Sequence, residues 1–335
     1  MGGLRLLILS VLGLATIAVS PSFAQKKYDP GASDTEIKIG NTMPYSGAIS
    51  SYSVIGKTEA AYFNKNNAEG GINGRKIKFV SYDDGSNPAK TVEQARKLVE
   101  GDEVLLIFQS LGGAMNIAIE KYLNDRKVPQ LFVAAPNKRF GDPKNFPWTM
   151  GWQPTAENEG RIYAQYLLKN HPGTKIGVLY INVDVGKEYL AGLKDGLEGK
   201  MQVVAEVPYE ITDPTVDSQV VTLKNSGADV VFLAASPKAA VQAIRKMAEL
   251  DWKPIRLLAS ISNSVGAVMK PAGMEIFMRQ AASIKELELG LLLPGIRINT
   301  GPTDYFPVKH MQMTRFNGET IELVGPLYSG VVAGN

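Results

Sequence analysis

The chain has 335 residues, a formal net charge of +3 and no cysteine. That length exceeds what one hydrophobic core usually serves, so two domains are expected. The charge is spread without a Lys/Arg block, which speaks against a nucleic-acid-binding stripe, and the missing cysteine excludes disulfides, thiolate nucleophiles and a lipid-modified N-terminal cysteine.

Residues 1–24 read as a signal peptide. Arg5 precedes the apolar run Leu6–Val19, and Ser22-Phe23-Ala24 sets small residues at the two positions a signal peptidase reads, which places cleavage after Ala24. The run is too short, and too soon followed by polar chain, to read as a membrane span. Export to the periplasm is the expectation, with an uncleaved anchor as the alternative; Tyr28–Thr35 would be a loose mature N-terminus.

Ile37–Asn41 alternates as a strand, Pro44-Tyr45-Ser46-Gly47 turns, and a helical pattern runs to Gly70-Gly71. A second strand, Lys76–Tyr82, stops at Asp83-Asp84-Gly85, and Pro88 opens the next helix. A helix of this length between two strands makes a βαβ unit with parallel strands. The turn "PYSG", the helix end "AEGGINGRKI" and the strand end "YDDGSNP", in this order, resemble the first unit of periplasmic substrate-binding proteins of the branched-chain amino acid (Leu/Ile/Val-binding) type. The resemblance continues with gaps through most of the chain. It implies a type I periplasmic binding protein, an α/β fold with two doubly wound, Rossmann-like domains around a cleft. It also implies service to an ABC importer through a membrane permease.

Further along, Pro88–Glu100 reads as a helix, Leu105–Phe108 as a fully apolar strand, Ala114–Asp125 as a helix and Gln130–Ala135 as a strand. Phe146–Trp152 crosses into a second run of βα units, beginning with a helix from Pro154-Thr155 to Asn170. Strands at Lys175–Tyr180, Gln202–Pro208, Asp229–Ala234 and Ile255–Ala259 then alternate with helices at Gly186–Leu197, Thr215–Ser226 and Pro237–Leu250. The expected division is 36–151 plus about 277–305 for the first domain and 152–276 plus about 306–335 for the second.

The resemblance breaks after Val265–Gly273. Met274-Glu275-Ile276 runs straight into Phe277–Ala282, which resembles a helix that family members place several dozen residues later. Leu289–Thr303 and Met311–Gly325 resemble the closing segments, including a last hairpin around Asn317-Gly318. An internal deletion near 274–277 would leave the first domain incomplete, with apolar sheet face exposed.

Candidate binding residues sit at strand ends. Gln109–Gly113 closes a strand in Ser and Gly directly before a helix, either a seat for a carboxylate or an ordinary βα turn. Tyr45 and Ser46 lie in the first turn, Ser110, Leu111 and Gly112 in the third, and Ala134, Ala135 and Pro136 in the fourth. The resemblance, carried over position by position, adds Trp152, Asp184, Val185, Ser260, Ile261 and Ser262. Pro136 has no N–H to give, and near Ser260–Ser262 the chain lacks the acidic residue that relatives aim at a ligand ammonium. Asp184 either replaces it or is a solvated loop acid. The expected ligand is a small amino acid or a carboxylate lacking an amine, with Tyr45 and Trp152 offering flat apolar surface.

His171 and His310 have no companion ligands at metal spacing, Asp83-Asp84-Gly85 reads as a turn rather than a calcium loop, and no P-loop or G-x-S-x-G occurs. No enzyme activity, cofactor, metal or nucleic-acid partner is expected. A ligand-sensing domain of the same fold and a non-binding remnant are the rival readings.

Overall fold

Apolar strands alternating with amphipathic helices assemble into two parallel sheets in the computed structural model, which describes residues 28–262, 300–301, 304, 308–316 and 321–330. The first sheet contains β1 (Glu36–Met43), β2 (Lys76–Asp83), β3 (Leu106–Phe108), β4 (Gln130–Val133) and β5 (Thr149–Gly151), in the order β2-β1-β3-β4-β5. Helices α1 (Ser53–Ala68), α2 (Pro88–Arg96) and α3 (Gly113–Asp125) connect them. After α4 (Ala156–Asn170), a second sheet of β6 (Ile176–Ile181), β7 (Val203–Tyr209), β8 (Val230–Ala234) and β9 (Ile255–Leu258) has the order β7-β6-β8-β9. Its crossovers are α5 (Asp184–Leu197), α6 (Asp217–Asn225) and α7 (Pro237–Glu249). All pairings within both sheets are parallel. The strand order reverses direction at β1 and at β6, as in doubly wound folds.

Local chemistry explains where helices begin. Asn87 Oδ1 accepts from the N–H groups of Ala89 (2.9 Å) and Lys90 (3.2 Å), with Pro88 at the first helical position. Thr155 caps α4 by accepting from Asn158 N–H at 3.1 Å, and Ser236 caps α7 ahead of Pro237. Without a side-chain cap, α5 begins at Asp184, two residues before the expected Gly186, its acid in the first turn complementing the helix dipole. Residues Thr149–Gly151, expected as part of a crossing segment, pair with β4 as a short fifth strand.

Both faces of each sheet are covered. On one face of the first, edge-to-face aromatic contacts link Phe63 to Phe108 (5.9 Å), Phe108 to Phe132 (6.1 Å) and Phe132 to Trp152 (5.4 Å). The expected exposed apolar face is not found at these positions: Phe108, Phe132 and Trp152 are at most 7% exposed, and Val308 from the C-terminal segment packs against the same cluster. On the opposite face Ile107 meets Leu98, Ile119 and Leu123. In the second sheet Val178, Val230 and Phe232 face α4 and α5, while Leu179, Val231 and Leu233 face α6 and α7. Helices α4 and α5 approach so closely that a Cβ on Gly192 would lie 2.0 Å from the Glu157 carbonyl oxygen. Glycine is required there.

An antiparallel pair, β10 (His310–Phe316) with β11 (Ile321–Ser329), flanks the expected Asn317-Gly318 turn. The turn itself, the signal peptide, and the expected deletion with residues 277–299 lie outside the described residues.

Glu59 on α1 is 1% exposed, and neither carboxylate oxygen has a partner among the described residues. Burial raises its pKa to about 8. A proton held only in the fold stabilises it fully below the unfolded pKa, and that contribution is lost as pH rises toward the folded value, at about 1.4 kcal/mol per unit. Replacing Glu59→Gln is expected to raise the melting temperature clearly near pH 8.5 and much less near pH 5. Equal shifts at the two pH values in thermal melts would contradict this.

Candidate functional site

Parallel strands place all their carboxyl ends at one edge of a sheet, and here the two such edges border a common cleft of about 690 Å³. Each of the nine strands contributes lining residues at or just past its end: Ile49 and Tyr52 after β1, Ser86 after β2, Gln109 and Leu111 to Met115 after β3, Ala134 to Asn137 after β4, Gln153 after β5, Ile181 to Val185 from β6, Ile211 after β7, Ser236 after β8, and Ser260 and Ile261 after β9. Most of this lining is apolar. Its charged members are Asp184 and Lys187, both exposed.

The turn from β3 into α3 is held from below. Ser110 Oγ accepts the Thr42 N–H at 2.9 Å, and Leu111 bridges to Ala134 on the neighbouring strand. Asn116 Nδ2 donates to the carbonyls of Ser110 (2.9 Å) and Gly112 (2.8 Å). Its Oδ1 accepts from Gln130 Nε2 (2.9 Å), and Gln130 Oε1 accepts from Thr149 Oγ1 (3.0 Å). Gly112, at φ 101°, offers α3 no side-chain cap. Among the described residues none accepts from the N–H groups of Gly113, Ala114 or Met115, which open a 13-residue helix on the cleft wall. Such a terminus suits an anionic oxygen.

Opposite, Asp184 and Val185 begin α5. Ser260 is anchored to a buried acid: its N–H donates to Glu159 Oε1 (2.6 Å) and its hydroxyl to Oε2 (2.6 Å), where Tyr189 OH also donates (2.7 Å). Burial pushes the Glu159 pKa up, opposed by these hydrogen bonds. The Tyr52 hydroxyl, from the first sheet's side, donates to the Ile261 carbonyl and bridges the cleft.

Of the sequence candidates, Leu111, Gly112, Ala134, Ala135, Pro136, Asp184, Val185, Ser260 and Ile261 meet at this cleft. Five others are placed elsewhere. Tyr45 packs behind the wall with Met43 and Leu111, its hydroxyl 2.7 Å from Ser81 Oγ. Ser46 donates through N–H (3.0 Å) and hydroxyl (2.6 Å) to Asp83, which serves the turn, as that stretch was expected to do. Ser110 is buried under the βα turn, Trp152 belongs to the aromatic core, and Ser262 Oγ donates to the Ala235 carbonyl at 2.8 Å. The expected flat surface of Tyr45 and Trp152 is therefore not on the lining; Tyr52 is the cleft aromatic. Pro136 contributes its carbonyl, which accepts from Ala156 N–H at 2.7 Å and ties β4 to α4. Gln109, Asn137 and Tyr52 were not singled out by the sequence, although Gln109 directly precedes the Ser-Leu-Gly turn.

Fold and cleft together define an α/β architecture of two parallel sheets whose carboxyl edges border one cleft. Residues 36–275, more than two thirds of the chain, match the family described as periplasmic binding protein, and the chain belongs to that family. It is 27% identical over 280 residues to Leu/Ile/Val-binding protein homolog 8 of Brucella suis, covering 80% of this chain and 65% of that protein. A fatty acid ABC transporter substrate-binding protein from Thermomonospora curvata superposes with a TM-score of 0.61 at 25% identity, over 70% of this chain and 60% of that one. A solute-binding protein of an ABC transporter from Rhodopseudomonas palustris, in complex with 3,4-dihydroxybenzoic acid, gives 0.60 at 20% identity, over 68% and 62%. The chain spans a little under two thirds of the length of the relatives it matches. Among the described residues no helix is long and apolar enough to cross a membrane.

Glu159→Ala leaves the buried Tyr189 hydroxyl and the half-buried Ser260 N–H and hydroxyl without the carboxylate that accepts from them. The expected loss is about 3 kcal/mol or more, against a smaller one for Glu159→Gln, which keeps an acceptor. Denaturant melts check it, and an Ala variant as stable as the wild type would contradict it.

Proposed function

We propose that this chain is the solute-binding component of an ABC importer, exported to the periplasm, which captures a small carboxylate of apolar body in the cleft and delivers it to a membrane permease. On this reading the segments 36–151 and 152–276 act as two units that close over the ligand, and Tyr52 to Ile261 is one contact of the closed form. Binding needs no cofactor, and the partner ATPase supplies the energy.

The observation that carries the reading is the pairing of an apolar lining with the uncapped start of α3. The N–H groups of Gly113–Met115 would take the carboxylate, and Ile49, Tyr52, Leu111, Ile181 and Ile261 the apolar body. A ligand ammonium finds only exposed Asp184 as an opposite charge on this lining, because Glu159 lies behind Ser260 with its oxygens engaged. Burying an ammonium without a counter-charge is costly, which favours an acid without an α-amino group. The fatty acid and dihydroxybenzoic acid in the descriptions of two structural neighbours are ligands of that chemical kind.

The test is a set of thermal melts of residues 25–335 with separate pools of aliphatic amino acids, fatty acids and aromatic acids. A cooperative transition raised by an acid pool is expected, since a ligand that prefers the folded state stabilises it by mass action. A strict requirement for the α-amino group would overturn the ligand class. A melt unmoved by every pool would overturn the binding function.

A further inference from the structure

Besides Ser86, two polar side chains on the cleft lining, both amides, have an oxygen without a partner among the described residues. Gln109 is 2% exposed and Asn137 is 3% exposed; both line the cleft, and Gln109 Oε1 and Asn137 Oδ1 are buried without a partner among the described residues. They stand at the ends of neighbouring strands, Gln109 one residue past β3 and Asn137 four past β4. Buried polar groups are normally paired, and an unpaired one opposes folding, so two on one wall call for an explanation in binding.

Both residues are held through the backbone, the Asn137 carbonyl accepting from Phe140 N–H at 3.3 Å. Gln109 has φ +47°, a left-handed conformation that a non-glycine residue rarely adopts, and its N–H donates to the Leu131 carbonyl at 2.8 Å. The Glu188 carboxylate lies beside Asn137, and Asn137 Oδ1 is the atom left without a partner among the described residues. That oxygen lies beside the start of α3, 2.5 Å from where a Cβ on Gly113 would sit. The floor thus sets acceptors next to the N–H groups proposed to hold a carboxylate.

We infer that Gln109 and Asn137 select a ligand that carries a neutral hydrogen-bond donor, a hydroxyl group, in addition to its carboxylate. The inference rests on the proposed function and narrows its ligand class. An ammonium would also donate, but amide oxygens cannot balance its charge, and the acid on the lining, Asp184, is exposed. A hydroxyl donates without that demand, and a site built to hydrogen-bond it discriminates against the analogue that lacks it.

Calorimetric titration with matched acids tests this: benzoate against its three monohydroxy isomers, and octanoate against its terminal hydroxy derivative. At least one hydroxylated acid is expected to bind the wild type about tenfold or more tighter than its parent. In Gln109→Met, which replaces the amide by an apolar side chain of similar shape, and in Asn137→Ala, that ratio is expected to fall toward one. Melts of the ligand-free variants separate lost selectivity from lost folding, and Gln109→Met is expected to melt no lower than the wild type. Parent and hydroxylated acids binding the wild type equally, or a preference that survives in both folded variants, would overturn the inference while leaving the carboxylate-binding reading standing. Failure of every acid to bind would defeat both.

Discussion

Parallel pairing is the constraint from which the site follows. Because neighbouring strands in each sheet run in the same sense, every strand must end at the same edge and every return must cross a face as a helix or long loop. The crossovers cover both faces, which is why Leu105–Phe108 and Val230–Ala234 are buried throughout. The turns leaving the strands are then pushed together at the carboxyl edges. Two such edges meeting supply nine sets of turn residues to one cleft, and helix starts such as that of α3 come with them. The gathering of helix-start N–H groups at the cleft is a consequence of the connection rule, and the apolar residues on the turns make the lining apolar.

Buried polar groups then make the turns rigid. The run from Asn116 through Gln130 to Thr149 ties α3, β4 and β5 together directly beneath Ser110 and Gly112. On the other side, Glu159 grips Ser260 and Tyr189. In a low-dielectric interior such groups are favourable only when satisfied together, so losing one member strands the rest. The first network fixes where the α3 N–H groups point, and the second fixes where Ile261 meets the Tyr52 hydroxyl.

Much of this was legible in the sequence because the periodicities are strong. The apolar runs of β3, β6 and β8 and the Pro-led starts of α2 and α7 carried the alternation, the strand-end rule carried Leu111, Gly112 and Ala134 to the cleft, and the family resemblance carried Ile261. Trp152 was misplaced because a residue just past a strand end can turn to the core or to the cleft, and only its edge-to-face contact with Phe132 decides it. Tyr45 and Tyr52 lie seven positions apart, and the intervening turn, which sequence pattern does not resolve, puts the second on the lining. Gln109 was passed over because its significance depends on a left-handed backbone and an unpaired oxygen, neither of which leaves a mark on residue type. Burial of the aromatic face was unreadable for a similar reason, since it depends on where Val308 returns in space.

The most direct test of a carboxylate seated at the start of α3 is hydrogen exchange, followed amide by amide, with and without saturating benzoate or octanoate. Slowed exchange at Gly113, Ala114 and Met115, accompanied by slowing at Ser260–Ser262 across the cleft, is the predicted result. Binding that leaves the Gly113–Met115 amides exchanging as before would contradict the account.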